Sequence, residues 1–210
     1  MPGVLSQPAR QVHCEQIAGH PDFRSLASIV GLRVDLRYAG ANNFVGRDLY
    51  GQLNCNWLHR DAAAGLERAI AWLGIEAPGM ALLVLDALRP HRVQVELWDF
   101  LEGTDLRQYL ADPARGSIHS YGMAVDVTLL DAHGAELDMG TGFDDLTDLS
   151  HPKYEARYLA EGVMTQAQVA NRVLLRNAML QAGFHGISTE WWHFDFGDRD
   201  KVRADYLRVE

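Results

Sequence analysis

Hydrophobic positions recur along the chain with two periods, and the changes of period mark where one element gives way to the next. From Leu32 to Tyr38 the apolar side chains Leu32, Val34, Leu36 and Tyr38 alternate with Arg33, Asp35 and Arg37, the period of a half-buried strand. Between His59 and Leu73, the residues Ala62, Leu66, Ala69, Ile70 and Leu73 return at helical spacing. This predicts a helix packed on one face, with Gly74 as its stop. Ala81 to Leu85 is a short apolar run between Pro78-Gly79 and Arg89-Pro90, suited to a buried strand rather than to a helix of such length. A second helix is predicted from Arg92 to Leu101, ending near Gly103.

Met123 to Leu130 again alternates, with Val125, Val127 and Leu129 on one face of a strand and Ala124, Asp126 and Thr128 on the other. Thr165 followed by Gln168 forms a capping box, and Val169, Val173, Leu174, Met179 and Leu180 supply an apolar side before Gly183 closes the helix. Trp191 to Phe196 is aromatic-rich and predicts a last strand. Helices and strands are interspersed without a regular βαβ rhythm. The fold class expected is therefore α+β, one domain over residues 1–210, with no repeat, low-complexity tract or linker.

Composition narrows the partners. With 48% hydrophobic and 22% charged residues the chain is globular rather than disordered. A net charge of -9 without a Lys/Arg cluster would repel a phosphate backbone, so no nucleic acid is expected. Only Cys14 and Cys55 are present, read as free thiols. The opening MPGVLSQPARQVHCEQ has no apolar segment behind a basic one, and no stretch approaches the roughly 20 apolar residues that span a bilayer. The expectation is a cytoplasmic protein with no membrane partner. A homo-oligomer through Trp57, Trp72 or Trp98 stays open.

A catalytic zinc site uses three protein ligands and leaves a position for water. His119 stands just before the Met123 strand, Asp126 lies on its polar face, and Gly122 allows a sharp turn between them. Far downstream, Glu190-Trp191-Trp192-His193 adds a second His and a carboxylate among aromatics that can exclude water. Singly, each has an ordinary explanation: a core histidine, a salt-bridged aspartate, a solvated glutamate. Together they offer three ligands of the types zinc prefers and a second carboxylate. Residues three apart on a flat strand face opposite sides, so Glu190 is expected on a loop or bulge that enters the strand of His193.

The pattern Ser-x-His-x-x-Gly-x-Ala-x-Asp from Ser117 to Asp126, joined to Glu-x-x-His from Glu190 to His193, resembles the signature of the D-alanyl-D-alanine dipeptidases, the VanX-type zinc enzymes of peptidase family M15. Tyr38 to Gly46, Asp86-Ala87-Leu88-Arg89-Pro90 and Met139 to Asp144 resemble three further blocks of that family, in order, between about residues 35 and 196. The resemblance implies a mainly antiparallel central sheet flanked by helices, as in the hedgehog and D,D-peptidase zinc fold. It implies one Zn2+ per chain on His119, Asp126 and His193, with Glu190 as general base and acid and Arg89 stabilising the transition state. It places Ser117, Tyr38 and Asp144 against the ends of a small dipeptide substrate. Leu88 stands where a Tyr is usual and Tyr121 where many members have Arg, departures that bear on fine substrate preference. The rival readings are a D,D-carboxypeptidase or endopeptidase acting on peptidoglycan, and a non-catalytic zinc module.

Overall fold

The computed structural model describes residues 10–210. In chain order its strands and helices are β1 (Gln11–Val12), β2 (Phe23–Ser25), β3 (Arg33–Val34), β4 (Trp57–His59), α1 (Arg60–Glu76), β5 (Ala81–Asp86) and α2 (His91–Phe100). There follow β6 (Ala124–Leu130), α3 (Glu155–Ala160), α4 (Gln166–Gln181), β7 (Phe184–Gly186), β8 (His193–Phe196), α5 (Arg199–Asp205) and β9 (Arg208–Val209), with short 3-10 turns between them. The central sheet runs β3-β5-β6-β8-β7. Only the β3-β5 pairing is parallel; the other three are antiparallel. Helices α1 and α4 pack together and onto this sheet, so the α+β class and the mainly antiparallel sheet are both as expected.

β6 is the central strand and all seven of its residues are buried. Alternation correctly separated its faces, yet the face carrying Asp126 and Thr128 is also covered rather than solvated. Leu66, Leu73, Val84, Val125, Val127, Leu175, Phe184 and Phe194 belong to one buried cluster beneath α1 and α4. A second cluster, around Tyr38, Tyr50, Leu88, Val93 and Leu97, holds the segment before β4 against α2.

Four expectations shift on the structure. The alternating run from Leu32 to Tyr38 pairs only at Arg33–Val34, after which the chain leaves the sheet in a 3-10 turn, Arg37–Ala39, that carries Tyr38 inward. Gly74 lies inside α1, which ends instead at Ala77 (φ −141°, ψ 67°), because a residue preceding proline, here Pro78, is pushed out of the helical region. In α4 the capping box is present, but Val173 and Leu180 are exposed and the inward face is Arg172, Leu175, Ala178 and Met179. Arg172 turns inward because its guanidinium satisfies the carbonyls of Met139 (2.6 Å) and Leu149 (3.1 Å), which an apolar residue could not do. The last strand is confined to His193–Phe196, leaving Glu190, Trp191 and Trp192 on the loop before it.

Gly122 sets the approach to β6. Its φ of 63° ends the Ile118–Tyr121 turn in the left-handed region, and a Cβ there would lie 2.7 Å from the backbone N of His59. Gly122→Ala therefore combines strain with a clash against backbone. It is expected to cost about 1–3 kcal/mol, read as a Tm lower by roughly 3–10 °C in thermal unfolding.

Candidate metal centre and its cleft

Three neighbouring strands place their functional residues in one row. Asp126 on β6 is directly opposite His193 on β8. On its other side, a register shift between Val84 and Asp86 brings Asp86 opposite Asp126. Directly opposed residues in a sheet share a face, so the row Asp86, Asp126, His193 points into one cleft. His119 joins it from the 3-10 turn before β6.

His119 Nε2, His193 Nδ1 and Asp126 Oδ1 form a triangle with sides of 3.1, 3.0 and 3.4 Å. Nitrogen or oxygen atoms held about 2.0–2.1 Å from a tetrahedral zinc stand about 3.3 Å apart, so the triangle has the size that such an ion requires. The outer faces of both rings are fixed. His119 Nδ1 lies 2.7 Å from the carbonyl oxygen of Ala87, to which its N–H donates. His193 Nε2 lies 3.0 Å from Asp195 Oδ1, and Asp195 is in turn bonded by Arg199. Such outer partners set the tautomer that leaves the inward nitrogen free to ligate. Among the described residues this is the one His/Cys/Asp/Glu group with metal-holding geometry.

The electrostatics agree. Burial pushes the Asp126 carboxyl up, but the His119 and His193 imidazoles more than reverse this and hold it below the usual range. His193 is pulled down by burial, then raised well above its ordinary value by Asp195 and Asp126. Six carboxylates, Asp86, Asp112, Asp126, Asp144, Glu190 and Asp195, stand in or behind the cleft against four guanidiniums, Arg89, Arg115, Arg199 and Arg203, of which Arg89 and Arg199 bond directly to members of the set. The balance favours a cation.

The cleft above the triangle has a volume of about 460 Å³ and is lined by Tyr38, Arg89, Ser117, Asp144 and Glu190 together with His119, Asp126 and His193. All eight residues expected at the site therefore converge there. Burial pushes the Glu190 carboxyl up to about 7, with Asp126 adding to the rise and His193 and Arg89 opposing it. Arg89 donates through Nε and Nη2 to Asp86 (2.9 and 2.7 Å), through Nη1 to Gln94 (3.1 Å) and through Nη2 to Asp126 (3.4 Å). Its guanidinium also lies 4.9 Å from the centre of the Tyr38 ring. Arg89 is thus both salt-bridged and part of the cleft wall.

Asp144 is the one non-glycine with positive φ (61°) among the described residues, a strain that tends to collect at functional positions. Tyr38 Oη donates to it at 3.2 Å and the Phe44 amide at 3.4 Å. Burial, then the Asp126 charge, raise its carboxyl well above the ordinary value, against the lowering effects of Arg89 and these two donors. Ser117 is buried at the start of its turn and makes no side-chain cap, so its hydroxyl is free to face the cleft.

Sequence reading gave no role to Asp195, Asp86 or Tyr109. Asp195 was visible in principle, since it is two residues beyond His193 on one strand and must share its face. Asp86 depends on the bulge in β5 and Tyr109 on a loop conformation, neither of which leaves a periodic trace.

Two histidines and an aspartate at the floor of an open cleft, with a carboxyl near neutrality beside them, have the makeup of a hydrolytic site. A family model described as D-ala-D-ala dipeptidase matches residues 21–210. The chain is 40% identical over 164 residues to the D-alanyl-D-alanine dipeptidase of Escherichia coli K12, covering 78% of each chain. It is 30% identical to that of Streptomyces coelicolor, covering 82% of this chain and 90% of the relative. With the protein of the same name from Enterococcus faecalis the identity is 29%, over 80% of this chain and 87% of the relative. The chain belongs to the D-alanyl-D-alanine dipeptidase family and is a dipeptide-hydrolysing enzyme. No helix among the described residues is long and apolar enough to cross a membrane; the first nine residues of the leader reading lie outside them.

Proposed function

We propose that the protein hydrolyses free D-alanyl-D-alanine to two D-alanines, using one zinc ion held by His119, Asp126 and His193. The observation that carries this reading is the triangle of ligand atoms, with Glu190 lining the same cleft. A zinc ion bound there would activate a water at neutral pH and polarise the substrate carbonyl.

The chain's own groups do the rest. Glu190, with its carboxyl near 7, can take the proton of the attacking water and return it to the leaving amine, since a group poised at the working pH serves in both directions. Arg89 offers fixed positive charge to the oxygen on which charge develops, and its bonds to Asp86 and Gln94 keep it from reorganising as it does so. Asp144 meets the substrate ammonium. That cation stabilises the ionised form of a carboxyl that burial otherwise raises. Tyr38 orients Asp144 from behind, and Ser117 donates to the substrate carboxylate.

A non-catalytic zinc module would need a fourth protein ligand, and three residues make up the group found among the described residues. The test is zinc content together with kcat/KM for D-Ala-D-Ala, L-Ala-L-Ala and N-acetyl-D-Ala-D-Ala. Expected are one zinc per chain, preference for the D,D-dipeptide, and a loss of about tenfold or more on acetylation, the worth of one hydrogen bond to a charged group. Equal turnover of acetylated and free dipeptide would remove Asp144 from its role. Faster release of terminal D-alanine from a pentapeptide would favour the carboxypeptidase rival.

A further inference from the structure

One stretch of chain forms a whole bank of the cleft. Gln108 to Asp112, with Arg115, line it on the side that leads into Ser117. This stretch is anchored twice. Gln94, fully buried on α2, donates through Nε2 to the Ala111 carbonyl (2.8 Å) while its Oε1 accepts from Arg89 (3.1 Å), tying the bank to the floor of the site. Farther out, Tyr109 Oη lies 3.0 Å from Nε2 of His151.

His151 is built to receive that bond. It is buried, stacks on Tyr154 at 5.5 Å and 17°, and has the Asp148 carboxylate 3.5 Å from its other nitrogen. Burial lowers its pKa against the opposing pull of Asp148, which favours a neutral ring that accepts at Nε2. The phenol is kept protonated by burial and then by the Asp148 and Glu190 carboxylates. Tyr109 therefore donates and His151 accepts, and the bond joins the bank before Ser117 to the segment that follows Asp144.

Tyr109 shares the cleft wall with Glu190, which in the reading above protonates the leaving amine, and its stretch runs into Ser117, assigned to the substrate carboxylate. Asp144 and Tyr38 belong to the other end. We propose that Tyr109, held in place by His151, closes the cleft on the leaving-group side and confines turnover to substrates with one residue beyond the scissile bond. The assignment rests on the dipeptidase reading and adds a specificity-determining residue to it.

The experiment compares kcat/KM for tri-D-alanine, D-Ala-D-Ala and N-acetyl-D-Ala-D-Ala in the zinc-loaded wild type, Tyr109→Ala, Tyr109→Phe and His151→Phe. In Tyr109→Ala the tripeptide-to-dipeptide ratio is expected to rise about tenfold or more, the scale on which pocket shape discriminates between substrates. Tyr109→Phe and His151→Phe keep the bulk and lose the bond, and should raise the same ratio by less. The N-acetyl ratio should stay put, because that extension lies at the Asp144 end. A tripeptide ratio unchanged in Tyr109→Ala overturns the proposal, as does an equal rise for the N-acetyl substrate. A rise in Tyr109→Ala alone overturns the part given to His151. Wild-type turnover of the dipeptide tests the reaction itself, so failure of that reading is seen separately from failure of the wall.

Discussion

Glu190→Gln is expected to lower kcat for D-alanyl-D-alanine by about a hundred to ten thousandfold, the range of a positioned general acid and base, while zinc content stays at one per chain. Glutamine keeps the shape and removes the proton carrier, so ligand geometry at His119, Asp126 and His193 should persist. The pH profile supplies a second readout. The base works ionised, and burial places its carboxyl at about 7 in the metal-free site. A nearby dication favours the charged form and shifts it down. The acid limb of kcat/KM should then fall at or below about pH 7, with activity rising as pH rises through it, and should vanish in the variant. Full activity of Glu190→Gln with zinc bound would mean that some other group moves the proton.

Asp126→Asn is expected to weaken zinc binding by more than about a hundredfold, since removing even an outer partner of a ligand costs roughly 10–100-fold and the proposed function makes Asp126 itself a ligand. Activity at limiting zinc should fall at least in proportion. Competition against a chelator of known affinity measures the first effect, and rescue by excess zinc separates it from the second. The substitution also leaves charges on Arg89 and His193 with one carboxylate fewer inside the protein. Asp86 and Asp195 remain to partner them, so folding should survive at reduced stability. Unchanged zinc affinity would refute the triangle as the metal site.

The chain announced this site unevenly. Alternation along β6 is enough to put Asp126 on the correct face, and the spacing of Glu190 and His193 requires Glu190 to leave the strand, as it does. The motif order brought Arg89, Tyr38, Ser117 and Asp144 to the cleft. What was illegible depends on tertiary pairing. The run at Leu32 alternated well beyond the two residues that found a partner strand. The inward face of α4 is set by a buried arginine that hydropathy counts as outward. Ala77 ended α1 by the local chemistry of Pro78, a signal that was present and outweighed by the nearer Gly74.

The row of Asp86, Asp126 and His193 across three hydrogen-bonded strands has an evolutionary consequence. Its spacing is fixed by the sheet's own repeat of about 4.8 Å, whereas Tyr109 and Asp144, proposed for the two ends of the substrate, stand on connections whose length and content can drift without disturbing that repeat. The floor of the site and the choice of substrate are thereby inherited separately. Descendants of this chain could change the peptides they accept by rewriting those two loops over an unaltered floor.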